Sequence, residues 1–141
     1  MIIADTSGLL ALYNRREPAH AAVSRLVAAT SELLVVSPFV VAELDYLTAT
    51  RFGIDPSLAV LRELSSSAYE LAGFSADDLA KAASIIDRYR DQNIGVSDAS
   101  LVLLAQRYST RTILTLDHRH FDVLRPLDGG RFRVVPGKSK S

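Results

Sequence analysis

Four carboxylates stand where solvation alone does not account for them: Asp5, Glu43, Asp98 and Asp117. Asp5 ends the apolar run Met1-Ile2-Ile3-Ala4 and is followed by two hydroxyl residues, Thr6 and Ser7, so it falls where a buried strand gives way to a helix. In open α/β sheets ligands bind outside the carboxyl ends of parallel strands, although a lone Asp there reads equally well as the N-cap of the following helix. Asp117 follows Thr112-Ile113-Leu114-Thr115 in the same manner, with a turn residue as its plainer reading. Asp98 opens a nearly all-apolar helix, where a negative charge suits the helix N-terminus. Glu43 shares the spacing of Val40, Leu44 and Leu47, the stripe expected to face the core, whereas Asp45 is expected to point away as a surface charge. Burying such a carboxylate without a partner costs several kcal/mol.

Jointly, two acids that end strands, one that begins a helix and one on an inward stripe can converge on one point at the carboxyl edge of a sheet. Clustered carboxylates repel and raise each other's pKa unless a cation is present. With no cysteine and only His20, His118 and His120, the available ligands are almost purely oxygen, which favours Mg²⁺ or Mn²⁺ over zinc or copper. Hard divalent ions held by carboxylates typically serve phosphate chemistry.

The elements that must position these acids read in order. After Asp5, Gly8 to Tyr13 is helical in type, and Pro18 suits the first turn of a second helix carrying Ala19, Ala22, Val23, Leu26 and Val27 on one face. Leu33 to Val36 is a buried strand closed by Ser37-Pro38, and Phe39 to Phe52 is a helix stopped by Gly53. Asp55-Pro56 predicts an N-cap acid and an N1 proline for a fourth helix, with Leu58, Leu61 and Leu64 on one side. Tyr69 to Ala72 reads as a strand, and Ser75-Ala76-Asp77-Asp78 as a capping box before the next helix. Ser97 is expected to cap a helix over Asp98 to Tyr108 that has almost no polar face, buried in the middle of the protein or between subunits. Thr112 to Thr115 and Arg133 to Val135 are the last strands. Strands alternating with helices call for an α/β fold, a mostly parallel central sheet with helices on both faces.

The bulk numbers fit one domain, taken as residues 1–136, with residues 137–141 as a flexible tail. A formal net charge of zero neither favours nor excludes nucleic acid as a partner. The lack of cysteine rules out disulfides and thiol nucleophiles. No basic leader with an apolar segment and no apolar stretch of ~20 residues is present, so a cytoplasmic protein with no membrane partner is expected.

The runs Ile2-Ile3-Ala4-Asp5-Thr6-Ser7, Ser37-Pro38-Phe39-Val40-Val41-Ala42-Glu43-Leu44, Ile94-Gly95-Val96-Ser97-Asp98-Ala99 and Thr115-Leu116-Asp117-His118-Arg119-His120-Phe121, in this order and spacing, resemble the PIN-domain ribonucleases, specifically VapC-type toxins of bacterial type II toxin–antitoxin pairs. The resemblance covers essentially the whole chain. It implies a PIN-like three-layer sandwich in which Asp5, Glu43, Asp98 and Asp117 hold Mg²⁺ (or Mn²⁺) and serve catalysis, with Thr6 or Ser7 helping to position Asp5, the metal or its water. It implies hydrolysis of RNA phosphodiester bonds, usually by a homodimer, inhibition of translation and growth, and neutralisation by a VapB-type antitoxin in a hetero-oligomer. Asp117 departs from relatives that carry Asn there and is the ligand expected to vary or to act through water.

Arg119 and His120 beside Asp117, and Arg15 after the first helix, are candidate contacts to RNA phosphates, each also readable as solvated surface charge. Two rival readings remain. An aspartyl-phosphate phosphatase would need an acid where Ser7 stands and a lysine near the site, yet the lysines are Lys81, Lys138 and Lys140. A catalytically silent PIN-type module for RNA binding or assembly would have no need of four acids.

Overall fold

The computed structural model describes residues 1–138. Its elements run β1 (Ile2–Ala4), α1 (Thr6–Tyr13), α2 (His20–Ala29), β2 (Leu34–Val36), α3 (Pro38–Phe52), α4 (Ile54–Leu64), β3 (Tyr69–Leu71), α5 (Ala76–Arg88), α6 (Val96–Arg107), β4 (Thr112–Leu114), α7 (His118–Val123) and β5 (Arg133–Val135). The strands pair in the order β3-β2-β1-β4-β5, and every pair is parallel. The sheet expected to be mostly parallel is therefore wholly so among the described residues.

All three residues of β1 and of β2 are buried. Successive strand side chains face opposite sides, so helices must cover both faces of the sheet. The chain builds outward from β1 through β2 to β3, then returns to lay β4 and β5 on the other side of β1. The strand order thus reverses between β1 and β4. At such a switch point the connections leave in opposite directions and open a crevice at the carboxyl edge, where Asp5 and Asp117 emerge.

Helix α1 approaches that crevice closely. A Cβ on Gly8 would lie 2.6 Å from the Leu114 carbonyl oxygen and 2.8 Å from Leu114 Cγ, so no residue other than glycine lets α1 sit this near the end of β4. Helix α6 is buried from Ala99 through Leu101 and Leu104 to Ala105, which answers its missing polar face within one chain rather than between subunits. Helix α7 is held by Phe121, which is buried and packs edge-to-face on Phe132 at 5.9 Å.

Several boundaries differ from the sequence reading for local reasons. The capping box at Ser75 forms as expected, with Asp78 N–H on Ser75 Oγ at 3.1 Å and Ser75 N–H on Asp78 Oδ2 at 2.8 Å. Helix α2 starts at His20, leaving Pro18 in the preceding turn. Helix α4 starts at Ile54 with Gly53, at φ +96°, as its cap, so Asp55 and Pro56 lie inside the first turn. Its inward residues are Ser57, Val60 and Leu64, while Leu58 is exposed. Helix α6 starts two residues before Asp98, and Ser97 is a first-turn residue rather than the cap. Of the tail expected over 137–141, residues 139–141 lie outside the described residues, and Lys138 Nζ stands 3.3 Å from Asp122 Oδ2.

Candidate functional site

Asp5 continues the sheet before it leaves it. Its N–H donates to the Leu114 carbonyl at 2.9 Å, and its extended backbone turns the side chain over the start of α1. One carboxylate oxygen, Oδ1, accepts the Thr6 N–H at 2.8 Å, so the capping role weighed for this acid is real. The other, Oδ2, accepts the Thr115 hydroxyl at 2.7 Å, with Ser7 Oγ farther off at 3.4 Å. Asp5 is only 8% exposed. Burial pushes its pKa up to about 6, against the pull of the Thr115 and Thr6 hydrogen bonds, and the charges of Asp98 and Glu43 add to the rise. Capping and chemistry are not alternatives here, because one residue does the first while standing in position for the second.

Asp98, on the first turn of α6, is also raised, first by burial; the Gly95 N–H and His120 oppose the rise, and Asp117 and Glu43 reinforce it. Asp117 caps α7 by accepting the His120 N–H at 3.0 Å. The His120 ring folds back over this acid, with Nδ1 at 2.8 Å from Asp117 Oδ2 and 4.0 Å from Asp98 Oδ2, although it makes no aligned hydrogen bond. The four acids line one cleft of about 360 Å³, whose walls include Asp5, Thr6, Ser7, Glu43, Ser97, Asp98, Asp117 and His120.

Glu43 corrects the sequence reading. The inward stripe of α3 is Val40, Leu44 and Thr48, spaced by four, and Glu43 lies beside it, exposed at the rim of the cleft. Asp45, expected as a free surface charge, instead accepts the Ser57 hydroxyl from α4 at 2.9 Å. Arg119 is exposed and not on the cleft wall, and Arg15 lines an adjoining groove between α1, α3 and α4 that shares Leu10 with the cleft.

Sequence reasoning missed two buried hydroxyl clusters around these acids. Thr115, wholly buried, joins Asp5 to the Asp117 backbone, whose N–H it accepts at 2.9 Å. The Ser100 and Ser37 hydroxyls hydrogen-bond to each other at 2.8 Å, and Ser37 also accepts the Phe39 N–H at 3.1 Å, so α6 is tied near its start to the cap of α3. The one available signal was chemical: a hydroxyl inside the apolar run Ile113-Leu114-Thr115 has to find a partner once buried.

The donor set suits a hard divalent ion. It is all oxygen apart from one imidazole, and the buried hydroxyls of Thr6 and Ser97, both on the cleft wall, have no hydrogen-bond partner. Among the described residues no three acidic or histidine groups already stand close enough to enclose an ion. Glu43 is exposed and makes no side-chain hydrogen bond among the described residues.

A parallel sheet with acids at its switch point is the arrangement of PIN domains, and the chain belongs to that family: the PIN domain model matches residues 2–125. It is 58% identical over 135 residues to Ribonuclease VapC26 of Mycobacterium tuberculosis (strain ATCC 25618 / H37Rv), covering 96% of this chain and 100% of that relative. Among solved structures it is similar to Mycobacterium tuberculosis VapC20, described as a toxin that cleaves the sarcin–ricin loop, with a TM-score of 0.80 at 21% identity over 87% of this chain and 95% of the other. It is also similar to DNA-bound VapBC from Salmonella typhimurium, with a TM-score of 0.66 at 19% identity over 95% and 98% of the two chains. At these identities the two structures establish the shared fold.

Proposed function

We propose that this protein is a metal-dependent endoribonuclease toxin of a VapBC-type pair, hydrolysing RNA phosphodiester bonds to arrest translation and growth. The observation that carries the reading is the cleft itself. Four carboxylates from the end of β1, α3, α6 and the loop after β4 line one space, and the most buried of them is held back from ionisation first by its burial and then by the charges of Asp98 and Glu43. Without a cation such a grouping is an electrostatic cost, and with one it is a binding site. The 58% identity to a relative named as a ribonuclease supports the same conclusion.

Asp5, Asp98, Glu43 and Asp117 would hold Mg²⁺ or Mn²⁺. When bound, the ion polarises the phosphoryl oxygen and eases attack by water. The chain's own residues do the rest. Thr6 N–H and Thr115 fix the Asp5 carboxylate, Asp117 is fixed by capping α7, and the His120 ring lies against Asp117 and Asp98. Arg119, which is exposed, and Arg15 at the neighbouring groove would neutralise RNA phosphates outside the cleft.

The exposed apolar residues Tyr46 and Phe52 on α3 and Ile54 and Leu58 on α4 suit a homodimer face. The groove of about 730 Å³ beside them suits an antitoxin segment of VapB type. Purified protein that stays monomeric, alone and with its antitoxin, would remove the dimer from the proposal. No helix among the described residues is long and apolar enough to cross a membrane.

The test is cleavage of total cellular RNA by antitoxin-free protein with Mg²⁺, Mn²⁺ or EDTA, beside Asp5→Asn and Asp98→Asn. Cleavage that needs metal and disappears in both variants is expected, and sequencing the new ends names the substrate. Protein that binds metal and RNA yet cuts nothing would instead be a catalytically silent RNA-binding module.

A further inference from the structure

Thr115 sits one residue past β4, fully buried, at the point where three polar groups from different parts of the chain meet. Its hydroxyl oxygen is 2.7 Å from Asp5 Oδ2, 2.9 Å from the Asp117 backbone nitrogen and 3.1 Å from Ser7 Oγ. A threonine hydroxyl has one proton and two lone pairs. The Asp117 N–H takes one lone pair and the Ser7 hydroxyl can take the other, so the proton is left to point at Asp5. Ser7 completes the set by accepting the Leu116 N–H at 2.9 Å.

We infer that Thr115 is a positioning residue, which through a single hydroxyl locks the Asp5 carboxylate and the Asp117 backbone into one fixed geometry across the switch point. The inference rests on the proposed role of the two acids as metal ligands. Asp5 is pinned at both oxygens, one by the Thr6 N–H and one by Thr115, so it cannot rotate away, yet each oxygen keeps accepting capacity for a further partner. Because Thr115 must donate, the cluster is arranged around an Asp5 that accepts, which is the form that binds a cation. Asp117 gains its position from the same atom, before its own side chain caps α7. A group that does not touch the ion but fixes two that do belongs to the shell around a metal site, where substitutions typically cost 10–100-fold in affinity or activity.

The variants Thr115→Val, which keeps the shape and removes the hydroxyl, and Thr115→Ser, which keeps the hydroxyl, separate this role from packing. Thr115→Ala replaces the valine variant should that one not fold by circular dichroism. In EDTA, the Asp117 amide of the valine variant is expected to exchange about tenfold faster than in the wild type and the Asp5 carboxyl carbon signal to shift, with both restored in the serine variant. Calorimetry should show Mn²⁺ affinity about tenfold weaker in the valine variant, and cleavage should lose kcat with little change in KM, again with recovery in the serine variant. A valine variant with wild-type exchange and Asp5 signal, or a serine variant as defective as valine, would overturn the inference. If the wild type bound no metal and cut no RNA, the nuclease reading would fail, while the two metal-free measurements would still decide whether Thr115 locks the acids together.

Discussion

The cleft has two halves that are built differently. On the strand side, Asp5 and Asp117 are gripped directly: a hydroxyl and an N–H hold the first, and the second is held through its own backbone and by capping α7. On the helix side, the Ser37–Ser100 contact ties α6 near its start to the cap of α3 but touches neither Glu43 nor Asp98. Asp98 is half-buried with no hydrogen-bonded side chain holding it among the described residues, and Glu43 is exposed. One half fixes carboxylates and the other fixes only the helices that carry them. A site built this way presents rigid ligands to the ion first and lets adjustable ones complete the shell, which suits an oxygen site that must adapt to a metal and then to a phosphate.

The largest contrast should appear in catalysis. Asp5→Asn is expected to lower RNA cleavage by roughly a thousandfold or more, and Glu43→Gln by only about ten- to a hundredfold, because water can replace an exposed adjustable ligand more readily than a pinned one. Single-turnover cleavage at saturating Mg²⁺ measures both, and equal losses would erase the distinction between the halves.

Stability should move the other way on the strand side. Asp5 has a folded pKa of about 6 against 3.8 for a free carboxyl, so between those values the folded protein holds a proton that the unfolded chain has released. Stability from this group is therefore complete below about pH 4 and is lost as pH rises through about 6. In EDTA at pH 7, Asp5→Asn should stabilise the fold by on the order of 2 kcal/mol, with the gain vanishing near pH 4. Urea unfolding at the two pH values checks it, and a gain that persists in acid would show that ionisation is not its source.

On the helix side, Ser100→Ala should cost about 1–3 kcal/mol of stability by leaving the buried Ser37 hydroxyl short of a partner. Mn²⁺ affinity should stay near wild type, since no acid loses a bond; a large drop in calorimetry would mean that this tie positions Asp98 as Thr115 positions Asp5. The smallest effect belongs outside both halves. Arg15→Ala should weaken RNA binding modestly and flatten its salt dependence by about one counterion, read from binding titrations at several salt concentrations.

Most of the architecture was legible because its signals are local. Strand runs that stop at an acid, Ser37-Pro38 before α3 and Ser75 with Asp78 before α5 each declare themselves within a few residues. Asp5, Asp98 and Asp117 fall at strand and helix ends that the same local signals mark. Glu43 falls outside the inward stripe of α3 because that stripe runs through Thr48 rather than Leu47, and a polar threonine facing inward is invisible to a pattern of apolar residues. Helix α7 escaped notice because its six residues hold together through Phe121 on Phe132 rather than through periodicity. The hydroxyl ties were beyond reach on different grounds. Ser37 and Ser100 are 63 positions apart, and only the folded sheet brings Thr115 to Asp5.

That last distance bears on how the protein comes into being. Thr115 lies 110 positions after Asp5, so β1 and its acid are made long before the strand that completes their site. A growing chain, or one cut short before β4, has Asp5, Glu43 and even Asp98 but lacks Asp117 and the Thr115 hydroxyl that pins Asp5. The site proposed for the finished protein is thus completed only by the last fifth or so of the chain to be made, which supplies both the fourth acid and the hydroxyl that holds the first.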